Sequence, residues 1–236
     1  MNMNSDGISS ATQIYKKGML LVIRNIRLLL LLITLSLLTD LGTLMYYAGY
    51  KIPWLVWVSF LTAPFYWVIL VASVVIFNQS LEGPPFSVKT FFIEKLRLIR
   101  KVIWFILVSI ALDFILFVPL YTASLLLFGL DNPLVYMFFN IIYWATNLIM
   151  IAFIYSPIYF LVGEQKLVQS FGSSLSFTRH NILFTCSILP FLIIGFAILS
   201  LNLYSNPFYR LGEALFIPVF YLIILSTYLV FWKTRN

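Results

Sequence analysis

The sequence predicts an all-α integral membrane protein whose six transmembrane helices form three hairpins, and three observations carry that reading. Hydrophobic residues make up 62% of the 236 positions and charged residues only 10%, whereas a soluble domain is about one quarter charged. Six apolar stretches can be drawn, at 28–47, 54–77, 102–128, 134–161, 182–204 and 211–231, each near the roughly 20 residues that cross a hydrocarbon core. Finally, 13 of the 15 Lys and Arg residues lie in the N-terminal arm, the second and fourth connections and the C-terminal tail. Only Lys51 and Arg210 fall in the other loops. Basic side chains resist translocation, so the rich side is expected to be cytoplasmic, with both termini on it.

The first element is a basic arm carrying Lys16, Lys17, Arg24 and Arg27 ahead of Leu28–Leu38. It is too long for a signal peptide, and Thr39-Asp40-Leu41-Gly42 is not a small-residue cleavage site, so a retained first span is expected. Tyr46, Tyr47, Tyr50, Trp54 and Trp57 bracket the first outer turn, and Tyr204, Phe208 and Tyr209 the last. Rings with one wet edge favour that depth and form aromatic belts. An Asp131-Asn132-Pro133 turn closes the middle hairpin. The Asn78-Gln79-Ser80 sequon falls on the expected cytoplasmic side, where it would not be glycosylated.

Each pair of spans follows a basic, half-apolar segment. In 87–101, Val88, Phe92, Leu96 and Ile99 share one helical face, and Thr90, Glu94, Arg97 and Lys101 the opposite one. Leu167, Phe171, Leu175 and Thr178 repeat the apolar register, with Arg179 and His180 in the basic positions of Arg100 and Lys101. Ala11, Tyr15, Met19 and Val22 repeat it earlier, ahead of Arg24. Asn25-Ile26 returns as Asn181-Ile182, with Val102-Ile103 between them. Pro64 and Pro218 also fall in similar surroundings. The expected organisation is one membrane domain over 1–236, with no soluble domain. It reads as a threefold repeat of about 11–78, 87–162 and 166–232, each unit an interfacial amphipathic helix followed by a hairpin.

Composition excludes several function classes. The net charge of +7 hugs span ends, where it sets topology and attracts anionic lipid, so nucleic acid is not an expected partner. One cysteine, Cys186, allows no internal disulfide and no cysteine metal site. The single histidine, His180, rules out a His-Glu-x-x-His centre. Ser170, Ser173, Ser174 and Ser176 lie near it without a nucleophile-elbow setting or an acidic orienter. Neither catalytic residues nor a metal or other cofactor are expected.

Two carboxylates do lie inside apolar stretches. Asp40 and Asp113 are about 17–18 Å along their helices from Leu28 and Val102. A charge at the centre of a span costs on the order of 2.5–3.5 kcal/mol, so each needs protonation, a wet cavity or hydrogen bonds. They are candidates for a proton- or cation-linked polar site, with Asn140, Tyr143 and Asn147 donating from one face of the fourth span. The competing reading places Asp40 in a locally broken outer end and makes Asp113 a satisfied interior carboxyl. Prolines at 64, 119, 157, 190 and 218 would kink five spans.

Tyr155-Ser156-Pro157-Ile158-Tyr159-Phe160-Leu161-Val162-Gly163-Glu164-Gln165-Lys166, running into Ser176-Phe177-Thr178-Arg179-His180-Asn181, resembles bacterial multi-span proteins akin to the membrane domain of some glycerophosphodiester phosphodiesterases. In that group a Pro-containing span ends in an acidic or glycine turn, and an interfacial helix closes in a Ser…Arg/Lys…Asn pattern. The resemblance covers the middle and final thirds and implies residence in a bacterial cytoplasmic (inner) membrane. The phosphodiesterase catalytic domain is absent, so no hydrolase activity is implied.

The function expected is therefore that of a non-enzymatic accessory, scaffolding or lipid-interacting membrane component. Anionic headgroups would meet Lys95, Arg97, Arg100, Lys101, Arg179 and His180. A protein partner or a homo-oligomer is open. The alternative is a small transporter or permease subunit for a lipid-like or small organic solute, proton-linked through Asp113 and Asp40.

Overall fold

The computed structural model describes residues 5–47, 49–50, 52–87, 96–128, 153–187 and 207–235, and no strand occurs among them. The chain starts with α1 (Ser5–Arg24) and α2 (Ile26–Tyr47), which meet at Asn25. The segments Ala11–Arg24 and Ile26–Gly42 are bent 76° from one another there. Asparagine permits this because its carboxamide competes with the helix for backbone partners. The Asn25 N–H is shared between the carbonyls of Leu21 and Val22, and its Nδ2 also donates to Leu21 O, at 2.8 Å. Its own carbonyl then accepts from Leu28 N, at 2.9 Å, which starts the new helix.

After the outer turn, α3 (Pro53–Glu82) begins with proline in its first turn, where the missing N–H is no loss. It runs unbroken through Pro64. Gly83, bonded to Gln79 O, ends it, and Pro84 and Pro85 prevent its continuation. Next come α4 (Leu96–Phe128), α5 (Ser156–Leu161), α6 (Leu167–His180), α7 (Ile182–Cys186) and α8 (Pro207–Arg235).

The chain divides into two compact units, Met1–Ile99 with Cys186–Asn236, and Arg100–Thr185. In the first, α2, α3 and α8 pack together and α1 lies along α8. Leu28, Leu32, Ala72, Val74, Phe77, Leu222 and Leu229 are fully enclosed. Close approach of α1 to α8 depends on Gly18. A Cβ there would sit 2.9 Å from the Thr227 Cα, and the Gly18 carbonyl accepts from Ser226 Oγ at 3.0 Å. In the second unit the core is aromatic. Phe105 stacks on Phe160 and Phe171, while Tyr155 and Tyr159 meet Phe177 edge-on.

Several expectations are corrected. Two helices are long and apolar enough to cross a membrane, Trp57–Glu82 of α3 and Ala214–Arg235 of α8. The bent pair at Asn25 makes a third if it is one span, so the described residues hold two or three, not six. Most of 134–161 and 182–204 lies outside the described residues, as does Pro190. Where 134–161 is described it is not one continuous helix. A turn at 153–155 precedes α5, and Pro157 occupies its first turn instead of kinking a span.

The second interfacial segment also differs. Residues 88–95 lie outside the described set, and Leu96–Lys101 continues without a break into α4. No asparagine stands at that junction, and Lys101-Val102-Ile103 offers the backbone nothing better than a helix. No threefold repeat is shown. What recurs is a junction: Asn181 shares its N–H between Phe177 O and Thr178 O and donates Nδ2 to Phe177 O, as Asn25 does with its own preceding turn.

The inward faces of the interfacial segments keep Val22 and Thr178 from the expected stripes but are otherwise rotated from them. In α1 the inward residues are Gly18, Leu21 and Val22, while Met19 is exposed. In α6 they are Ser170, Ser174 and Thr178, while Leu175 is exposed. Small side chains allow close helix approach, and Ser174 Oγ accepts the Tyr155 N–H at 3.1 Å.

Replacing Asn25 by Leu leaves two buried donors, Ser80 Oγ and Phe86 N, without the acceptor they share. The expected loss is about 1–3 kcal/mol for each, read as a lower thermal midpoint in detergent. Gly18→Ala is expected to lower the midpoint as well. Adding Thr227→Ala should restore little, because the Thr227 backbone still obstructs the new methyl group.

Candidate functional site

Hydroxyl groups within the helices are mostly turned back on their own backbone. Thr34 Oγ1 donates to Leu30 O, Ser73 Oγ to Leu70 O, Ser109 Oγ to Phe105 O and Thr122 Oγ1 to Val118 O. Such bonds satisfy a polar group without water, which suits an apolar environment. One seam between α2 and α3 departs from this isolation.

There, the two helices pack so that Thr39 faces Thr62 and Gly42 faces Ser59. The Thr39 and Thr62 Oγ1 atoms are 3.2 Å apart, and Gly42 N donates to Ser59 Oγ at 3.3 Å. Asp40, next to Thr39, is half-buried on a regular turn of α2. Its helix continues unbroken to Tyr47, which overturns the broken-end reading of Thr39–Gly42. Tyr66 lies one turn beyond Thr62, on the same face of α3. It is 6% exposed, and its hydroxyl has no hydrogen-bond partner among the described residues. Asp40 and Tyr221 of α8 both lie within electrostatic reach of it.

Asp113 falls on α4 in the second unit; its side chain, like Asn140, Tyr143 and Asn147, lies outside the described set. The described geometry therefore does not bring Asp40 and Asp113 together. What it brings within electrostatic reach of Asp40 is Tyr66, and beside it Thr39 meets Thr62, residues the sequence reading missed. Their signal was present as the spacing of four between Thr62 and Tyr66 and as the neighbouring Thr39-Asp40 pair. Nothing in the sequence said that these two faces meet.

The basic residues form a separate set. Lys16 and Lys17 are exposed on α1, and Arg24 is exposed while its guanidinium donates to Gly83 O at 2.7 Å. Lys95 and the Arg97 side chain lie outside the described residues. Arg100 is exposed and Lys101 half-buried on α4. Arg179 and His180 are exposed in the last turn of α6, where cations complement the helix dipole. His180 Nδ1 lies 2.7 Å from Ser176 O and donates to that carbonyl, which can only accept. Nearby, Ser170 is buried and donates to Leu167 O. Near the chain end, Lys233 bonds Glu82 at 2.9 Å, an exposed contact that contributes little. Among the described residues no His, Cys, Asp and Glu group could hold a metal ion.

Burying a phenol hydroxyl without a partner is unfavourable, so Tyr66→Phe is expected to leave the thermal midpoint in low-salt detergent unchanged or to raise it. Tyr66→Ala, which leaves a cavity, should lower it by an amount equivalent to about 3–5 kcal/mol. Differential scanning fluorimetry of the two variants reads the contrast directly.

Comparison with protein-family models, with curated proteins and with solved structures finds no match to this chain. The resemblance carried by 155–181 therefore rests on its motif alone.

Proposed function

We propose that this chain is a multi-pass membrane protein that rests basic interfacial helices on anionic lipid headgroups, in an accessory or scaffolding role without catalysis of its own. The observation that carries the reading is the 76° elbow at Asn25. It separates a helix bearing exposed Lys16 and Lys17 from the apolar helix that follows. A basic segment turned away from an adjoining apolar helix is what a chain needs in order to lie along a membrane surface before entering it.

The outward surface supports the same reading. Trp57, Phe60, Leu61 and Phe65 on α3, and Trp104, Leu107, Phe114 and Ile115 on α4, are each more than half exposed. Contiguous apolar surface of this kind is unfavourable in water and favourable against lipid tails. Exposed Tyr50, Trp54 and Trp57 at the turn between α2 and α3 suit an interfacial belt. The six-span arrangement, the threefold unit, the cytoplasmic termini and the inner-membrane location belong to this proposal. They rest on the run of apolar stretches and the sorting of Lys and Arg along the chain.

A test uses the full chain in bilayers of mixed phosphatidylcholine and phosphatidylglycerol, with spin-labelled lipids reporting which headgroup is retained. The wild type is expected to prefer the anionic lipid, with a preference that weakens as salt rises. Joint replacement of Arg97, Arg100 and Lys101 by Glu should lower it about a hundredfold, at roughly 1 kcal/mol per basic residue, or invert the local topology reported by cysteine labelling at the second connection. Unchanged lipid preference together with unchanged labelling sinks the role.

A further inference from the structure

Helix α1 is held on the first unit with its rotation fixed. Its Gly18 carbonyl accepts from Ser226 Oγ of α8, Tyr15 bonds Ser187 through their hydroxyls, and Asn25 closes its last turn. Gly18, Leu21 and Val22 turn inward. At 3.6 residues per turn, the outward surface then divides into two edges about 120° apart. Met19 and Ile23, a spacing of four, lie on one edge. Gln13, Lys17 and Arg24, at spacings of four and seven, lie on the other, and Lys16 and Leu20 fall between the two. Met19, Leu20 and Ile23 are each at least half exposed.

Two further observations decide what meets this surface. Residues 11–30 carry four cations, Lys16, Lys17, Arg24 and Arg27, and no acid. Gly18 meets α8 at Thr227, eight residues before Arg235, so the contact falls about 12 Å inside the end of a segment long enough to span. We propose that α1 is a wedge inserted into one leaflet of an anionic membrane. Met19, Leu20 and Ile23 contact acyl chains. Lys17 and Arg24 stay at phosphate level, and Lys16 reaches it along its apolar stem. The wedge rests on the membrane-surface role proposed above and adds the acyl chains as a second, uncharged partner.

The experiment places a nitroxide singly at positions 13, 17, 19 and 23 of the full chain carrying Cys186→Ser, in vesicles of phosphatidylcholine and phosphatidylglycerol. All four side chains are exposed, so labelling leaves the packed face of α1 untouched. Power-saturation resonance compares collisions with oxygen, which concentrates among acyl chains, and with a water-soluble nickel chelate. Labels at Met19→Cys and Ile23→Cys are expected about 5–10 Å below the phosphates, and those at Gln13→Cys and Lys17→Cys to meet the chelate. Because the contact is apolar, the contrast should persist at about 1 M salt, where headgroup attraction is screened. Chelate access at all four positions overturns the wedge and leaves that edge to a soluble partner. Oxygen access without chelate access at all four overturns the division into edges, and collapse of the contrast in high salt overturns the acyl contact. Retained anionic-lipid preference in the spin-labelled lipid assay confines any such failure to the wedge, and its loss as well sinks the membrane-surface role.

Discussion

The Asn25 carboxamide is the interaction on which the first unit depends. Its Nδ2 closes the last turn of α1, and its Oδ1 accepts from Ser80 Oγ and from the Phe86 N–H, both at 2.9 Å. One buried side chain therefore ends a helix, starts another at a steep angle, holds the end of α3 and fixes the loop that leaves it. Arg24 secures the same loop from outside through Gly83 O. A buried amide that satisfies both of its ends in this way specifies geometry more than it adds stability, because any other elbow angle would leave donors unmet.

The rest of the architecture follows from how backbone and side-chain polar groups are met without water. Hydroxyls in α2, α3, α4 and α8 return to carbonyls of their own helices, as Ser226 does to Ile223 O while also reaching Gly18 O. Serines and a threonine, not the large apolar residues, line the inward face of α6. The large apolar side chains are left to point outward along α3 and α4. Others, Phe77 and Leu222 among them, fill the core, so apolar side chains occupy both the interior and the outer surface.

Against this background the Asp40 seam is an exception. Most hydroxyls that donate to their own helix make no further contact, Ser226 and Thr185 being exceptions. Between α2 and α3 two such hydroxyls also bond each other, one turn from the Tyr66 phenol, which has no partner among the described residues.

Much of the local structure is legible in the sequence. The start of α3 at Pro53 and its stop at Gly83-Pro84-Pro85, the turn after Leu161, and the kinship of Asn25-Ile26 with Asn181-Ile182 follow from residue chemistry within a few positions. Asp40 was identifiable as a costly residue in an apolar stretch for the same reason. The sequence could not decide which face of α1 or α6 turns inward. An apolar stripe predicts burial only where water is the alternative, and here Met19 and Leu175 face outward while Gly18 and Ser174 pack inside. Nor could it place Thr62 and Tyr66 beside Asp40, since antiparallel register between two nearly all-apolar helices leaves no periodic mark in the chain. The sequence by itself determined helical class and span-length apolarity, because those are properties of neighbouring residues. Tertiary packing alone decided the inward faces and the composition of the polar seam, because both depend on how closely small residues allow two helices to approach.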